Sequence, residues 1–349
     1  MSNYSLSRAR RFQNGLTLIE LLVALAVGLI VVLVATTALV ISQQGYRTVD
    51  SSTQLRDRER FAIDLLSRVI VQAGYQDYGS TNIALRSTAN LAGINPEPDI
   101  FGWNNAVYAT PGNLALSGIT EIVNGNRPTS SLCTAADTSC KNGSDILVVR
   151  YQGATSHSDT TKPDNSMINC RGEGEIGLKF NDVNDRAFSI FHVTRGVNGE
   201  PSLSCSYYNF DYSPGGVSGW IASTPMVEGV ESFQVLYGTE GVVPSSVPST
   251  TATLDTVSER WLRADQLTVA GNASATRENF RRVRAVRIGL VMRAPVGSAQ
   301  QTTTATFAPL GTYFTSNNDS GSSFAAPADR RVRLQSTFTV HLRNDLSLR

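Results

Sequence analysis

A single carboxylate, Glu20, stands inside GLTLIELLVALAVGLIVVLVATTALVI, residues 15–41, where every other residue is apolar, glycine or threonine. Placing a carboxylate in hydrocarbon costs on the order of several kcal/mol unless it is protonated or meets a cation. No Lys, Arg or His occurs between Phe12 and Tyr46. The counter-charge must then be an amino group made by cleavage or carried by a neighbouring subunit, unless the side chain is hydrated at a membrane surface.

Other reactive chemistry is sparse. His157, His192 and His341 lie in a Ser/Thr-rich loop and two strand-like segments, with no recognisable triad order. Nucleophile-elbow, P-loop and dinucleotide fingerprints are missing, as are C-x-x-C and H-E-x-x-H. The acidic stretches NDVND and NNDSG, at 181–185 and 317–321, lack EF-hand spacing and read as turns. We expect no catalytic residue, no metal and no cofactor. Four cysteines remain, Cys133, Cys140, Cys170 and Cys205. In an oxidising compartment they form two disulfides by one of three pairings, of which we expect Cys133 with Cys140 and Cys170 with Cys205.

These residues need elements to position them. Arg8, Arg10 and Arg11 precede the apolar run, and the formal charge of the 349 residues is only +1, which gives no electrostatic case for nucleic acid as the main partner. As a helix, residues 16–41 would reach roughly 39 Å, enough to cross a hydrocarbon core of about 30 Å. The arginines would keep the N-terminus cytoplasmic and send the rest across. Beyond residue 41 helical character continues without proline, and Ala62, Leu65, Leu66, Val69, Ile70 and Ala73 make an apolar stripe that ends at Gly74. The charges at 56–60 read as a solvated face.

Residues 74–142 are rich in Gly, Asn, Ser, Thr and Pro and read as irregular connections with short strands. Strand signals follow in DILVVRY, AFSIFHV, SYYNFDY and VESFQVLYG. Near the C-terminus, VRAVRIGLVMRA and RVRLQSTFTVHLRN alternate strictly, with arginines on the second face. That pattern predicts antiparallel strands with one wet face, packed on a helix. The fold class is therefore α+β.

The head of the apolar run resembles the class III signal of type IV pilins and type II secretion pseudopilins: a basic leader ending in Gly15, then Leu16, Thr17, Leu18, Ile19 and Glu20. MVEGVESFQVLYG, VRAVRIGLVMRAP, RRVRLQSTFTVHLRND and VIVQAGYQDYG are similar to the PilW family of minor pilins. The resemblance implies a type IV pilin-like fold, a long N-terminal helix packed on an antiparallel β-sheet head. It divides the chain into a cleaved leader (1–15), a transmembrane and polymerisation half-helix (16–41), an amphipathic half-helix (42–73) and a β-rich head (74–349). It implies cleavage between Gly15 and Leu16 by prepilin peptidase, N-methylation of Leu16, and an assembly role for Thr17 and Glu20, with Glu20 meeting a neighbour's amine. The implied function is initiation of the type IV pilus near its tip. Partners would be other minor pilins, the major pilin and an adhesin-like tip protein. The implied location is the inner membrane with the head periplasmic, then the pilus. Two rivals are a type II secretion pseudopilin and a membrane-anchored adhesin or ligand-binding module.

Overall fold

The proline-free run of residues 17–71 has the composition of a helix, and in the computed structural model it is one, α1 (Leu18–Val71). The structure describes residues 17–75, 98–106, 142–159, 162–175, 187–196, 198–209, 219–249, 257–302, 304–319 and 321–344. The chain divides into two units, one reaching Asp50 and one starting at Ser51.

In the first unit, from Leu21 to Ile41, α1 is apolar around almost its whole circumference, and the large side chains from Leu18 and Ile19 through Leu39 and Ile41 are exposed. Its threonine hydroxyls bond back to the helix: Thr36 donates to the Leu33 carbonyl at 3.0 Å and Thr37 to that of Val34 at 2.9 Å. Such internal satisfaction is what an apolar solvent demands of a polar side chain.

In the second unit the stripe read from the sequence faces inward. Ala62, Leu66, Val69, Ile70 and Ala73 are buried and Leu65 is packed against them. The helix gives way to turns after Val71, and the Gly74 N–H donates to the Arg150 carbonyl at 3.0 Å.

Two antiparallel sheets complete this unit, their strands numbered here in chain order. The first holds β1 (Ile100–Trp103), β2 (Ile146–Tyr151), β3 (Ala187–Arg195), β4 (Pro201–Asn209) and β5 (Gly219–Glu228), in the order β1-β2-β3-β4-β5. The second orders β11-β8-β6-β7, from β6 (Val230–Thr239), β7 (Arg260–Leu262), β8 (Val283–Arg293) and β11 (Arg333–His341). Short helices α2 (Ala264–Leu267) and α3 (Ala273–Arg281) precede β8, and a small ribbon of β9 (Thr306–Phe307) and β10 (Phe324–Ala325) precedes β11. One core joins the helix to both sheets, with Leu66, Ile70, Phe191, Leu203, Phe233, Val235, Ile288 and Leu290 among its fully buried members.

Two expectations need correction. The strand that holds SYYN starts earlier than its signal, at Pro201, and the remaining FDY lies outside the described residues; β5 and β1 were not individually legible. The second face of β8 is not wet. Pro309 lies against Gly289, where a methyl group would collide with the Pro309 carbonyl oxygen. Val291 packs with Phe307, Phe324 and Ala326. The segment between β8 and β11 thus covers this face, and a glycine in the strand interior permits its close approach.

Arg343 is exposed, but the other arginines of that face are not simply solvated. Arg293 and Arg333 converge on the buried carboxylate of Glu231, at 2.8 and 2.6 Å. Arg293 and Arg331 share Glu200, at 3.0 and 2.7 Å, and Asp329 meets Arg333 at 2.7 Å. The Arg331 guanidinium in turn holds the Glu200 carboxyl below its ordinary range. Arg287 lies over the rings of Trp261, 4.4 Å from its centroid, and Phe314, at 5.4 Å. The aromatic partners missing from the alternating sequence come from elsewhere in the chain.

Candidate assembly site

Thr17 is the N-cap of α1, its carbonyl accepting the first helical bond from the Leu21 N–H at 3.2 Å. Its own N–H and its hydroxyl both donate to Glu20 Oε2, each at 2.9 Å. The Glu20 N–H reaches back to Thr17 Oγ1 at 3.3 Å. This is a capping box, T-x-x-E, in which threonine and glutamate satisfy each other's end groups. Sequence reasoning looked for a distant amine and missed this local partner, although the three-residue spacing signals it.

The box leaves Glu20 Oε1 without a hydrogen bond among the described residues. Both bonds that close the first turn of α1 use one oxygen of the carboxylate. A helix terminus also favours negative charge in its first turn. Gly15 and Leu16, the expected processing residues, lie outside the described residues, as does the leader. The helix bearing the box is long and apolar enough to cross a membrane.

Of the cysteines, Cys170 and Cys205 are joined by a disulfide with their Cα atoms 6.3 Å apart. It ties the 162–175 loop to β4, and both residues are fully buried. The same loop is held to the end of α1, where the Gln72 side chain donates to the Ile168 carbonyl at 3.0 Å and accepts its N–H at 2.7 Å. Cys133 and Cys140 lie outside the described residues.

One histidine does meet a hydroxyl. His192 Nε2 lies 3.1 Å from Ser206 Oγ, on neighbouring strands β3 and β4. Both residues are sealed, and Ser206 Oγ also accepts the Ser223 N–H at 2.8 Å. A substrate has no approach to this pair, which serves the sheet. In NNDSG, Asp319 pairs with Arg263 at 3.6 Å and accepts the Gly321 N–H, so a guanidinium supplies its counter-charge; NDVND lies outside the described residues. Asp145 accepts the backbone N–H groups of Asn105 and Val235, each at 2.7 Å, and burial raises its pKa well above the usual carboxylate range. It fastens β2 to β6.

The chain thus has an apolar N-terminal helix opened by a Thr–Glu box and followed by antiparallel sheets, and residues 10–36 match the prokaryotic N-terminal methylation motif. Residues 190–344 match the model of type IV pilus-assembly protein W, PilW. That match begins well before the C-terminal segments that carried the resemblance in the sequence. A solved structure with similarity is a type IV-like pilin from Thermus thermophilus, 14% identical, with 83% of this chain and 97% of that chain covered and a TM-score of 0.35. No curated protein matches the chain.

Proposed function

We propose that this chain is a low-abundance minor pilin that takes part in initiating and assembling the type IV pilus near its tip, and acts by assembly rather than turnover. The observation that carries this reading is the joint presence of a methylation motif at 10–36 and PilW-family sequence over 190–344. In this reading residues 1–15 form a leader, which prepilin peptidase removes between Gly15 and Leu16. The new Leu16 amine is methylated. Residues 16–41 anchor the subunit in the inner membrane with the N-terminus cytoplasmic and the head periplasmic, then join the filament core. Residues 42–73 carry the head, 74–349. Other minor pilins, the major pilin and a tip adhesin are its partners.

The physical drive is plain. Each large apolar side chain moved out of water contributes about 2 kcal/mol, but in lipid that gain is already made, so packing and polar pairing must select the neighbour. Glu20 supplies the polar term, its free Oε1 receiving a neighbouring subunit's amine.

Deletion of the gene followed by complementation tests this, scored by surface pili. Glu20→Gln retains an acceptor for the Thr17 donors but no charge, whereas Glu20→Ala removes both. We expect loss of pili on deletion and failure of both variants to restore them. Full piliation in the deletion strain would remove the assembly role; rescue by Glu20→Gln alone would reduce Glu20 to a helix cap.

A further inference from the structure

A sheet edge presents unpaired N–H and C=O groups, and proteins usually blunt it by brevity, proline, bulges or charge. Among the described residues, three of the four edges of the two larger sheets are blunted. β1 has four residues and β7 three. β5 is long, but it carries Pro225, a left-handed Ser223 at φ 48° and two register shifts against β4.

β11 has neither brevity, proline nor a bulge, and its one formal charge, Arg333, is turned to Glu231 and Asp329. It runs nine residues from Arg333 to His341, in unbroken register with β8, without proline or lysine. The bonds from Leu342 N–H to the Arg284 carbonyl and from Ala294 N–H to the Val332 carbonyl fix which residues point toward β8. By alternation, the main-chain groups of Gln335, Thr337, Thr339 and His341 point away from it. Among the described residues no strand pairs with that side. The side chains of these four residues are exposed.

We propose that the free edge of β11 is a docking site that takes an extended strand from a different polypeptide by β-augmentation, with main-chain bonds at residues 335, 337, 339 and 341. The charge on the strand decides between a second copy and another chain. Exposed Arg330 and Arg343 flank β11, and His341 is exposed beside the latter. Two copies related by a two-fold axis through Thr337 would set residue 343 of one opposite residue 331 of the other, bringing the exposed Arg343 beside the exposed Arg330 at both ends of the pair. Like charges directly opposite are unfavourable. The fitting occupant is a neutral, β-branched segment with an acidic residue at the end that meets Arg343. This inference stands apart from the reading of the N-terminal helix.

The test places a photo-crosslinking amino acid at Gln335, Thr337, Thr339 or His341 of the full chain, in the organism that makes it, with Tyr313 as the exposed background position. Crosslinked peptides are identified by mass spectrometry. All four sites should capture one extended segment of another protein, with partner residues stepping by two as the site steps by two. Thr339→Pro removes an outward N–H, a place where edge strands tolerate proline, and should lower the yield at Gln335 at least about tenfold, the equivalent of about 1.4 kcal/mol. Its thermal unfolding in detergent should match the parent; if it does not, Gln335→Lys with Thr339→Lys repeats the test on a folded edge. Capture of a second copy, capture of a helix, a yield no higher than at Tyr313, or indifference to both variants would overturn the proposal.

Discussion

Replacing Glu175 by glutamine should change how the stability of the head depends on pH. The Glu175 side chain is 6% exposed, in the disulfide-tied loop, and its Oε1 accepts the Asn169 Nδ2 donor at 3.0 Å. Burial raises its pKa from 4.5 to about 7, which the Asn169 bond only partly offsets. The folded state therefore keeps a proton that the unfolded chain releases near pH 4.5. Between those values the folded form binds more protons, so unfolding becomes easier as pH rises. A shift of about 2.5 units at about 1.4 kcal/mol each amounts to roughly 3 kcal/mol, present below pH 4.5 and lost by pH 7. Glu175→Gln stays neutral throughout and keeps an acceptor for Asn169. It should match the parent near pH 4.5 and exceed it by about 3 kcal/mol at pH 8. The assay is denaturant unfolding of the oxidised full chain in detergent at both pH values, followed by tryptophan emission. Asp145, raised by burial in the same direction, adds a slope common to both proteins, so the quantity to compare is their difference. A difference that is the same at both pH values would refute the argument.

The buried arginine cluster makes a second prediction. Glu231→Gln leaves Arg293 and Arg333 short of their shared carboxylate and should destabilise by about 3–5 kcal/mol in the same assay, whereas Glu228→Gln, 3.7 Å from Arg58 with a 64% exposed side chain, should cost less than about 1 kcal/mol. Equal losses would show that the cluster is no more than a surface pair. Gly289→Ala should destabilise by about 1–3 kcal/mol, because the new methyl meets the Pro309 carbonyl oxygen while β8 is held in register by β6 and β11; an unchanged midpoint would mean that the covering segment is loosely held.

How much of this was readable depended on whether a signal was local. The stripe of Ala62, Leu66, Val69 and Ile70 repeats at helical spacing, and β8 and β11 alternate, so elements and inner faces followed from period alone. The segment 304–326 has no period. Phe307, Pro309, Leu310 and Phe324 are scattered among Gly, Ser, Thr and Asn, so its role as a cover shows only once the chain has folded back. Gly289 was the one local hint. The arginine face failed for the same reason, since Arg331 finds Glu200 at a separation of 131 residues and Arg333 finds Glu231 at 102.

The N-terminal site shows the opposite limit. Glu20 drew attention as a charge without a cation, and that inference ignored Thr17, whose main-chain N–H and hydroxyl both donate to it within one turn. An isolated helix start cannot distinguish a cap from a docking group, because a carboxylate has two oxygens and a capping box engages one. The capping box engages Oε2, and in the proposed reading Oε1 is the atom that a neighbour's amine would meet. An amine that approaches Oε1 need not unwind the first turn of the helix it binds. On the proposed reading, self-capping and pairing between subunits would act through the same side chain.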